Sequence, residues 1–131
     1  MIAANELRVG NWYTSTKWQK PVRCELSDIA EIHHRLEGAE EKYANVDEIF
    51  QSIPLSKEWL KKFGFKKREG NNICWDLGNF MVGWYGNSYA TWVVGLTQEN
   101  NELFYHSQIK SVHQLQNLYF SLTGEELTIT E

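Results

Sequence analysis

The side chains in this sequence that are best suited to chemistry are its four histidines, His33, His34, His106 and His113. His33 and His34 are adjacent, so on either a helix or a strand they point in different directions and would not bind one metal ion together. His106 and His113 lie on either side of a predicted junction between a strand and a helix, with no cysteine pair beside them. The histidines therefore predict no metal site, and a hydrolase that uses His33 or His106 is only the third functional hypothesis.

The two cysteines, Cys24 and Cys74, each lie in an apolar run that is typical of a strand. Two isolated cysteines do not make a disulfide framework, so buried free thiols in a reducing compartment are expected. Cys74 has no basic neighbour and no helix N-terminus nearby that would favour a reactive thiolate. The sequence thus predicts no catalytic residue, no cofactor and no metal, and a protein that is not an enzyme.

An acidic segment runs from residue 25 to residue 48, where eight acids stand against Arg35 and Lys42. This concentration of negative charge predicts an acidic surface patch. Such a patch would resemble a nucleic-acid backbone and could bind a basic partner protein. The candidate partner-binding residues of this segment are Glu31, Glu37, Glu40, Glu41, Asp47 and Glu48. A solvated acidic loop is the simpler interpretation.

Residues 57–68 carry the opposite charge, with six basic residues against Glu58. Trp59, Phe63 and Phe65 are interleaved with them, so the cations would bind phosphates while the rings stack on bases. The candidate nucleic-acid-binding residues are Lys61, Lys62, Lys66, Lys67 and Arg68. The competing interpretation is that the three rings lie on a buried face and the basic side chains form its solvated side.

The basic segment must be positioned by a short helix over residues 56–63. Ser56 is a typical N-cap residue, whose side chain accepts a hydrogen bond from a backbone N–H of the first turn. Gly64 supplies a left-handed residue after the last turn, and Phe65 would close onto Leu60, which is the Schellman arrangement. Two helical turns are not stable alone, so a sheet must hold this helix.

Residues 111–124 predict a longer helix near the C-terminus. Ser111 and Gln114 fit a capping box, in which each side chain satisfies a backbone N–H at the start of the helix. Gly124 stands where a left-handed residue ends a helix. The apolar stripe of this helix consists of Val112, Leu115, Leu118, Tyr119 and Leu122, and it must pack against another element.

The first third of the chain predicts a hairpin and leaves one element open. Residues 5–14 and 21–26 alternate between polar and apolar side chains, and the link between them is short enough for a hairpin. The alternation places Leu26 on the same side as Cys24. Residues 28–36 fit either a helix or a strand that continues from the hairpin.

From Phe65 onwards the apolar pattern has a period of two, with a good hairpin turn at residues 78–79. The pattern predicts an antiparallel meander of about five short strands, and Leu127 and Ile129 would add a final edge strand. Together the elements predict a single α+β domain over residues 1–131. It consists of a bent antiparallel sheet, barrel-like in its N-terminal part, packed against two helices of which the longer is C-terminal.

Composition is that of an ordinary globular chain. With 131 residues the protein is long enough for one domain with a real core. Aromatic residues make up 14% of the chain, which leaves some rings for a partner surface once the core is filled. The first residues lack the pattern of a signal peptide and no apolar run is long enough to cross a membrane, so a cytoplasmic protein is expected.

Three blocks of the sequence resemble a family of small uncharacterised proteins from phages and prophages of Bacteroidetes bacteria. The two long blocks are IPLSKEWLKKFGF at residues 53–65 and IKSVHQLQNLYFSLTGEEL at residues 109–127, and the third is NELRVGNW at residues 5–12. The order and spacing of the blocks match the family over nearly the whole chain. The matching positions are mostly helix caps and apolar stripes, so no catalytic residue is implied by the resemblance.

The resemblance implies a function of a general kind. Small proteins of mobile elements often bind and block a host protein, including CRISPR nucleases. The leading expectation is therefore a non-enzymatic accessory protein in the cytoplasm of a bacterial host, which binds a host protein or ribonucleoprotein and inhibits a defence nuclease. The alternative, from another class, is an RNA- or DNA-binding module that uses residues 57–68.

Overall fold

The computed structural model describes residues 7–16, 18–37, 50–70, 74–85, 91–98 and 101–130. Within these ranges the chain forms two antiparallel sheets and three helices. The helices are α1 (Leu26–Glu37), α2 (Lys57–Lys62) and α3 (Val112–Thr123). The predicted α+β fold with a helix near the C-terminus is confirmed, but α1 is a third helix and is as long as α3, at 12 residues each.

The larger sheet is a meander in which each strand pairs with the next along the chain. Its strands are β4 (Lys66–Lys67), β5 (Cys74–Leu77), β6 (Phe80–Tyr85), β7 (Thr91–Gln98) and β8 (Asn101–Ile109). The predicted turn at residues 78–79 joins β5 to β6, and Gly78 there has a φ of 60°, a conformation that glycine adopts without strain. The predicted five-stranded meander is therefore confirmed.

The smaller sheet contains the predicted hairpin. Its strands are β1 (Trp12–Ser15), β2 (Lys20–Arg23) and β3 (Phe50–Gln51), in the order β2-β1-β3. Ser15 lies opposite Lys20 at the end of the hairpin. Within the described residues this sheet is open, because β2 and β3 each pair only with β1, so the barrel-like closure expected at the N-terminal end is not formed there.

Residues 28–36, which the sequence left open between helix and strand, lie within α1. The carboxylate of Asp28 accepts a hydrogen bond from the backbone N–H of Glu25 at 2.8 Å, just before the first turn. The expectation that Leu26 lies on the same side as Cys24 was wrong. The chain leaves the extended conformation after Arg23, so Leu26 begins the helix and is 73% exposed whereas Cys24 is fully buried.

The main core lies between the larger sheet and the helices α2 and α3. Leu60 from α2 and Leu115 from α3 are fully buried in it, together with Val94 from β7. The ring of Phe80 packs edge-on against Tyr119, with centroids 4.9 Å apart. The predicted apolar stripe of α3 is therefore covered by the sheet, as its spacing requires.

A second, smaller core lies under the smaller sheet. Its buried members are Leu7, Tyr13, Cys24 and Phe50. The rings of Tyr13 and Phe50 lie 4.9 Å apart, and Ile29 of α1 packs against the cluster. The three helices thus serve two different cores.

Two local expectations near α3 were wrong. Ser111 occupies the N-cap position but its side chain makes no capping hydrogen bond; it bonds instead to the imidazole Nδ1 of His113 at 3.1 Å. Gln114 accepts from the backbone N–H of Lys110 at 3.0 Å, one residue before the position that a capping box requires.

The predicted final edge strand at Leu127 and Ile129 is also absent, because the described residues after Gly124 form no strand. This tail is held by other contacts. Leu127 is buried in the main core, and the backbone N–H of Thr130 donates to the carbonyl oxygen of Lys62 at 2.7 Å.

Candidate functional site

The basic face, which we define as Lys61, Lys62, Lys66 and Lys67, is built from α2 and the edge strand β4. All four side chains are exposed. Two of them belong to the last turn of α2, where the helix dipole favours positive charge. The other two lie on a strand that ends the larger sheet, and exposed lysines on such an edge discourage pairing with other chains.

The connection between α2 and β4 is fixed by local hydrogen bonds. The side chain of Ser56 accepts from the N–H of Trp59 at 3.4 Å, as predicted for an N-cap. At the other end the N–H of Gly64 donates to Lys61 and the N–H of Phe65 donates to Leu60, both at 3.0 Å. These two bonds form the predicted Schellman motif, with Gly64 at a φ of 91°. The lysines are therefore carried on a defined frame.

The aromatic rings beneath the basic face are buried. Trp59, Phe63 and Phe65 are at most 7% exposed, as the competing interpretation of the sequence predicted. The ammonium of Lys62 lies 4.5 Å from the ring centre of Trp59, and that of Lys61 lies 6.0 Å from the ring centre of Trp75. These cation–π contacts hold two of the lysines close to the protein surface, so the face offers charge but no ring on which a base would stack.

Arg68, the fifth predicted nucleic-acid contact, is placed differently from the four lysines. Its guanidinium binds both carboxylate oxygens of Asp76 on β5, at 2.9 and 2.8 Å, and lies 3.2 Å from the sulfur of Met81. The paired guanidinium and carboxylate are both partly buried. This geometry ties the end of β4 to the sheet and uses the charge of Arg68 internally.

The predicted acidic patch lies largely outside the described residues. Glu40, Glu41, Asp47 and Glu48 fall in the range 38–49, and Glu37 is the last residue of α1. Glu31 is exposed on the same helix. The grouping of these six residues therefore stays a prediction.

The cysteines and their neighbours belong to the cores. Cys24 is fully buried, and this burial, reinforced by the carboxylates of Asp28 and Glu25, raises the pKa of its thiol to about 12. The pKa of Tyr13 is raised in the same way, first by burial and then by Asp28, to which it is hydrogen-bonded. Cys74 is buried and is not part of a disulfide bond. A thiol with such a raised pKa is a poor nucleophile at neutral pH, so Cys24 is a structural residue.

The four histidines are distributed over three elements of the fold. His33 and His34 lie on α1, His106 lies on β8, and His113 is buried beside Ser111 in the first turn of α3. Over the described part of the chain, no three histidine, cysteine or carboxylate side chains are grouped in a way that could hold a metal ion.

Sequence reasoning missed a polar seam, which we define as Asn11, Gln116 and Asn117, between the smaller sheet and α3. The side-chain oxygen of Gln116 accepts from the N–H of Trp12 at 2.8 Å. Its nitrogen donates to the carbonyls of Gly10 at 2.9 Å and Leu127 at 3.4 Å. Gln116 is 1% exposed, and the only sequence signal for it was a glutamine beside the apolar stripe of α3.

The other two members of the polar seam extend this connection. The amide of Asn11 donates to the side-chain oxygen of Asn117 at 3.0 Å, while its own oxygen accepts from the N–H of Arg8. At the edge of the seam the guanidinium of Arg8 contacts both oxygens of Glu126 at 2.8 Å and lies over the ring of Phe120 at 4.5 Å. The segment before β1 is thereby attached to α3 by polar contacts.

No protein-family model, curated protein or solved structure matches this chain. In the ranges that the structure describes, none of the helices has the length and apolar character needed to cross a bilayer.

Proposed function

We propose that this chain is a non-enzymatic accessory protein of phage or prophage origin that binds a host ribonucleoprotein and inhibits a defence nuclease. The observation that carries the proposal is the basic face. Four exposed lysines lie on a helix and a strand that are joined by a Schellman motif and backed by the main core. A rigid, positively charged surface suits a partner that presents RNA or clustered carboxylates.

The proposal is supported by the contacts that two lysines of the basic face make with tryptophan rings. A surface lysine normally loses side-chain freedom when it binds, which weakens the complex. Here the rings of Trp59 and Trp75 already restrict Lys62 and Lys61, so part of that entropic cost is met before binding. The acidic residues of segment 25–48 would contribute a second, oppositely charged contact, which suits a partner with both basic and anionic surfaces.

The proposal is tested by capture from a lysate of the bacterial host with the tagged protein as bait. A specific nuclease or ribonucleoprotein should be recovered, and replacing all four lysines of the basic face by glutamine should reduce that recovery at least tenfold. If no partner exceeds background, or if the variant recovers the same partner equally well, the proposal is wrong.

A second candidate function is direct binding of RNA or DNA through the same lysines. Trp59 and Trp75, the rings next to the basic face, are buried, so this face has no exposed ring that could stack on a base. Binding would then go through phosphates alone, would show little sequence preference, and would weaken steeply with salt.

This candidate is tested by a gel shift at low salt with duplex DNA, duplex RNA and single-stranded oligonucleotides. With four lysines in contact, the slope of log K against log salt would be about −3.6 on duplex DNA. Absence of a shift at low salt, or binding that is unchanged in the four-lysine variant, would eliminate it. The captured material separates it from the leading proposal, which requires that one specific nuclease or ribonucleoprotein be recovered with the bait, whereas direct binding recovers nucleic acid without one specific protein.

A further inference from the structure

A cleft of about 170 Å³ lies between the smaller sheet and the C-terminal tail. It is lined by Gly10, Trp12, Arg23, Leu127, Thr128 and Ile129. None of these residues belongs to the basic face or to the acidic segment. The cleft is thus a separate feature of the molecule.

The first wall of the cleft is formed by the hairpin and the turn before it. Trp12 on β1 lies directly opposite Arg23 on β2, and side chains of such a pair project from the same side of a sheet. Hydrogen bonds from Gly10 to the carbonyl of Cys24 at 2.8 Å and from Cys24 to the carbonyl of Asn11 at 2.6 Å extend the pairing. The indole and the guanidinium are therefore held side by side.

The guanidinium of Arg23 lies close to the backbone at Gly10. A methyl group added at the Cα of Gly10 would lie 3.8 Å from a terminal nitrogen of Arg23, which is an ordinary van der Waals distance. The φ of 93° at this position is the feature that favours glycine. No described residue forms an ion pair with this exposed guanidinium. Arg23 lines the cleft and is exposed to solvent.

The second wall is the tail, and it is pinned on both sides of the cleft. Leu127 is buried at one end, and Thr130 is bonded to the carbonyl oxygen of Lys62 through both its N–H and its hydroxyl at the other. The side chain of Gln116 joins the two walls, since it bonds to Gly10 and Trp12 on one and to Leu127 on the other. The cleft is therefore preorganised by a buried amide rather than formed by loose surface side chains.

The chemistry of the lining defines the class of ligand. Trp12, Leu127 and Ile129 offer apolar surface, and Arg23 offers a planar fork of N–H donors that matches a carboxylate. A cavity of about 150 Å³ accepts a benzene molecule, so this cleft has room for one ring or one leucine-sized group. The geometry points to a binding site for a small apolar carboxylate, with its carboxylate on Arg23 and its ring or alkyl group against Trp12 and Ile129.

Two sources share this chemistry, a free organic acid and the C-terminal residue of a polypeptide. The probes are 3-phenylpropanoate for the free acid and acetyl-Gly-Gly-Phe for the chain end, each compared with its own amide. Chemical shifts of the backbone amides are followed during titration of the full-length protein. We expect saturable shifts at residues 10, 12, 23 and 127–129 with a carboxylate probe and none with its amide. The carboxylate that saturates the shifts at the lower concentration identifies the source.

Arg23→Gln should weaken binding of the carboxylate by at least tenfold, while its spectrum outside the cleft stays that of the wild type. Lys20→Gln removes the same charge from the same strand away from the cleft, and should leave binding within twofold. The assignment would be overturned if the amides caused shifts of equal size or if neither carboxylate caused a saturable shift. It would also be overturned if the two variants lost the same amount of binding affinity.

Discussion

Residues 54–70 and the polar seam differ in what holds them together. In the first region the bonds that cap α2 are local: Ser56 caps the helix three residues away, and Gly64 and Phe65 close its other end. In the second region the partners are far apart in the chain, since Gln116 bonds to residues 104 and 106 positions away. Local signals therefore determine the two ends of α2, and tertiary packing determines the polar seam.

The two serines at helix starts illustrate the difference. Ser56 is partly exposed and its side chain is free to turn towards the N–H of Trp59. Ser111 is 4% exposed, pairs through its backbone with Pro54, and directs its hydroxyl to His113. The same residue type at the same helical position thus caps one helix and supports the interior beside the other.

The largest expected effect is the loss of core contacts of α3. Leu115 is fully buried against the larger sheet, so Leu115→Ala should lower the free energy of unfolding by about 2–5 kcal/mol. Chemical denaturation measures this directly. Ser121→Ala on the exposed side of the same helix should stay within about 0.5 kcal/mol; similar losses for the two variants would mean that α3 does not pack as described.

The next effect tests the polar seam with a matched pair of glutamines. Gln116→Ala leaves the carbonyl of Leu127, which is buried, and the partly buried groups of Gly10 and Trp12 without this partner, and should cost about 2–4 kcal/mol. Gln114→Ala, on the same helix, removes one bond to Lys110 that is exposed to water, and should cost less than about 1 kcal/mol. Equal costs would show that the long-range bonds of Gln116 do not contribute.

A pH titration tests the smaller core, which is also assembled from distant parts of the chain. Because the folded protein holds the pKa of Cys24 at about 12, above the ordinary value of 9.0, the unfolded chain loses this proton first as the pH rises. The contribution to stability is complete below pH 9 and is lost between pH 9 and about 12, at up to about 1.4 kcal/mol per pH unit. The raised pKa of Tyr13 also makes the folded protein less stable as the pH rises.

The measurement for this prediction is the unfolding midpoint between pH 8 and pH 11, with the variant Cys24→Ala as comparison. The variant should start less stable and lose stability less steeply as the pH rises. Parallel curves for the two proteins would contradict the burial of the thiol.

The smallest effect concerns the local cap of α2. Ser56→Ala should cost about 1 kcal/mol, whereas Ser56→Gly should cost only a few tenths, because glycine is itself acceptable at an N-cap. Thermal unfolding of the two variants separates these values. Equal and negligible losses would indicate that the cap seen between Ser56 and Trp59 does not stabilise the helix.

The difference between local and long-range bonds also explains which features could be predicted from the sequence. The caps of α2, the turn at Gly78 and the meander were predictable, since each depends on neighbours within a few residues. The capping box at Ser111 was predicted wrongly because the hydroxyl of Ser111 bonds to His113 in the interior. The placement of Leu26 on the same side as Cys24 was predicted wrongly because α1 begins at Leu26. The cleft beside Arg23 could not be predicted, because its walls lie more than 100 residues apart in the chain.

The most direct test of the central proposal compares two variants that remove the same charge from different places. Lys66→Gln with Lys67→Gln removes half of the basic face, and Lys20→Gln with Lys110→Gln removes two exposed lysines elsewhere. Each pair takes two positive charges from a chain of net charge −4. In quantitative capture from host lysate, the first pair should lower recovery of the partner at least fivefold and the second should leave it near the wild-type level. Equal recovery by the two pairs would contradict the account.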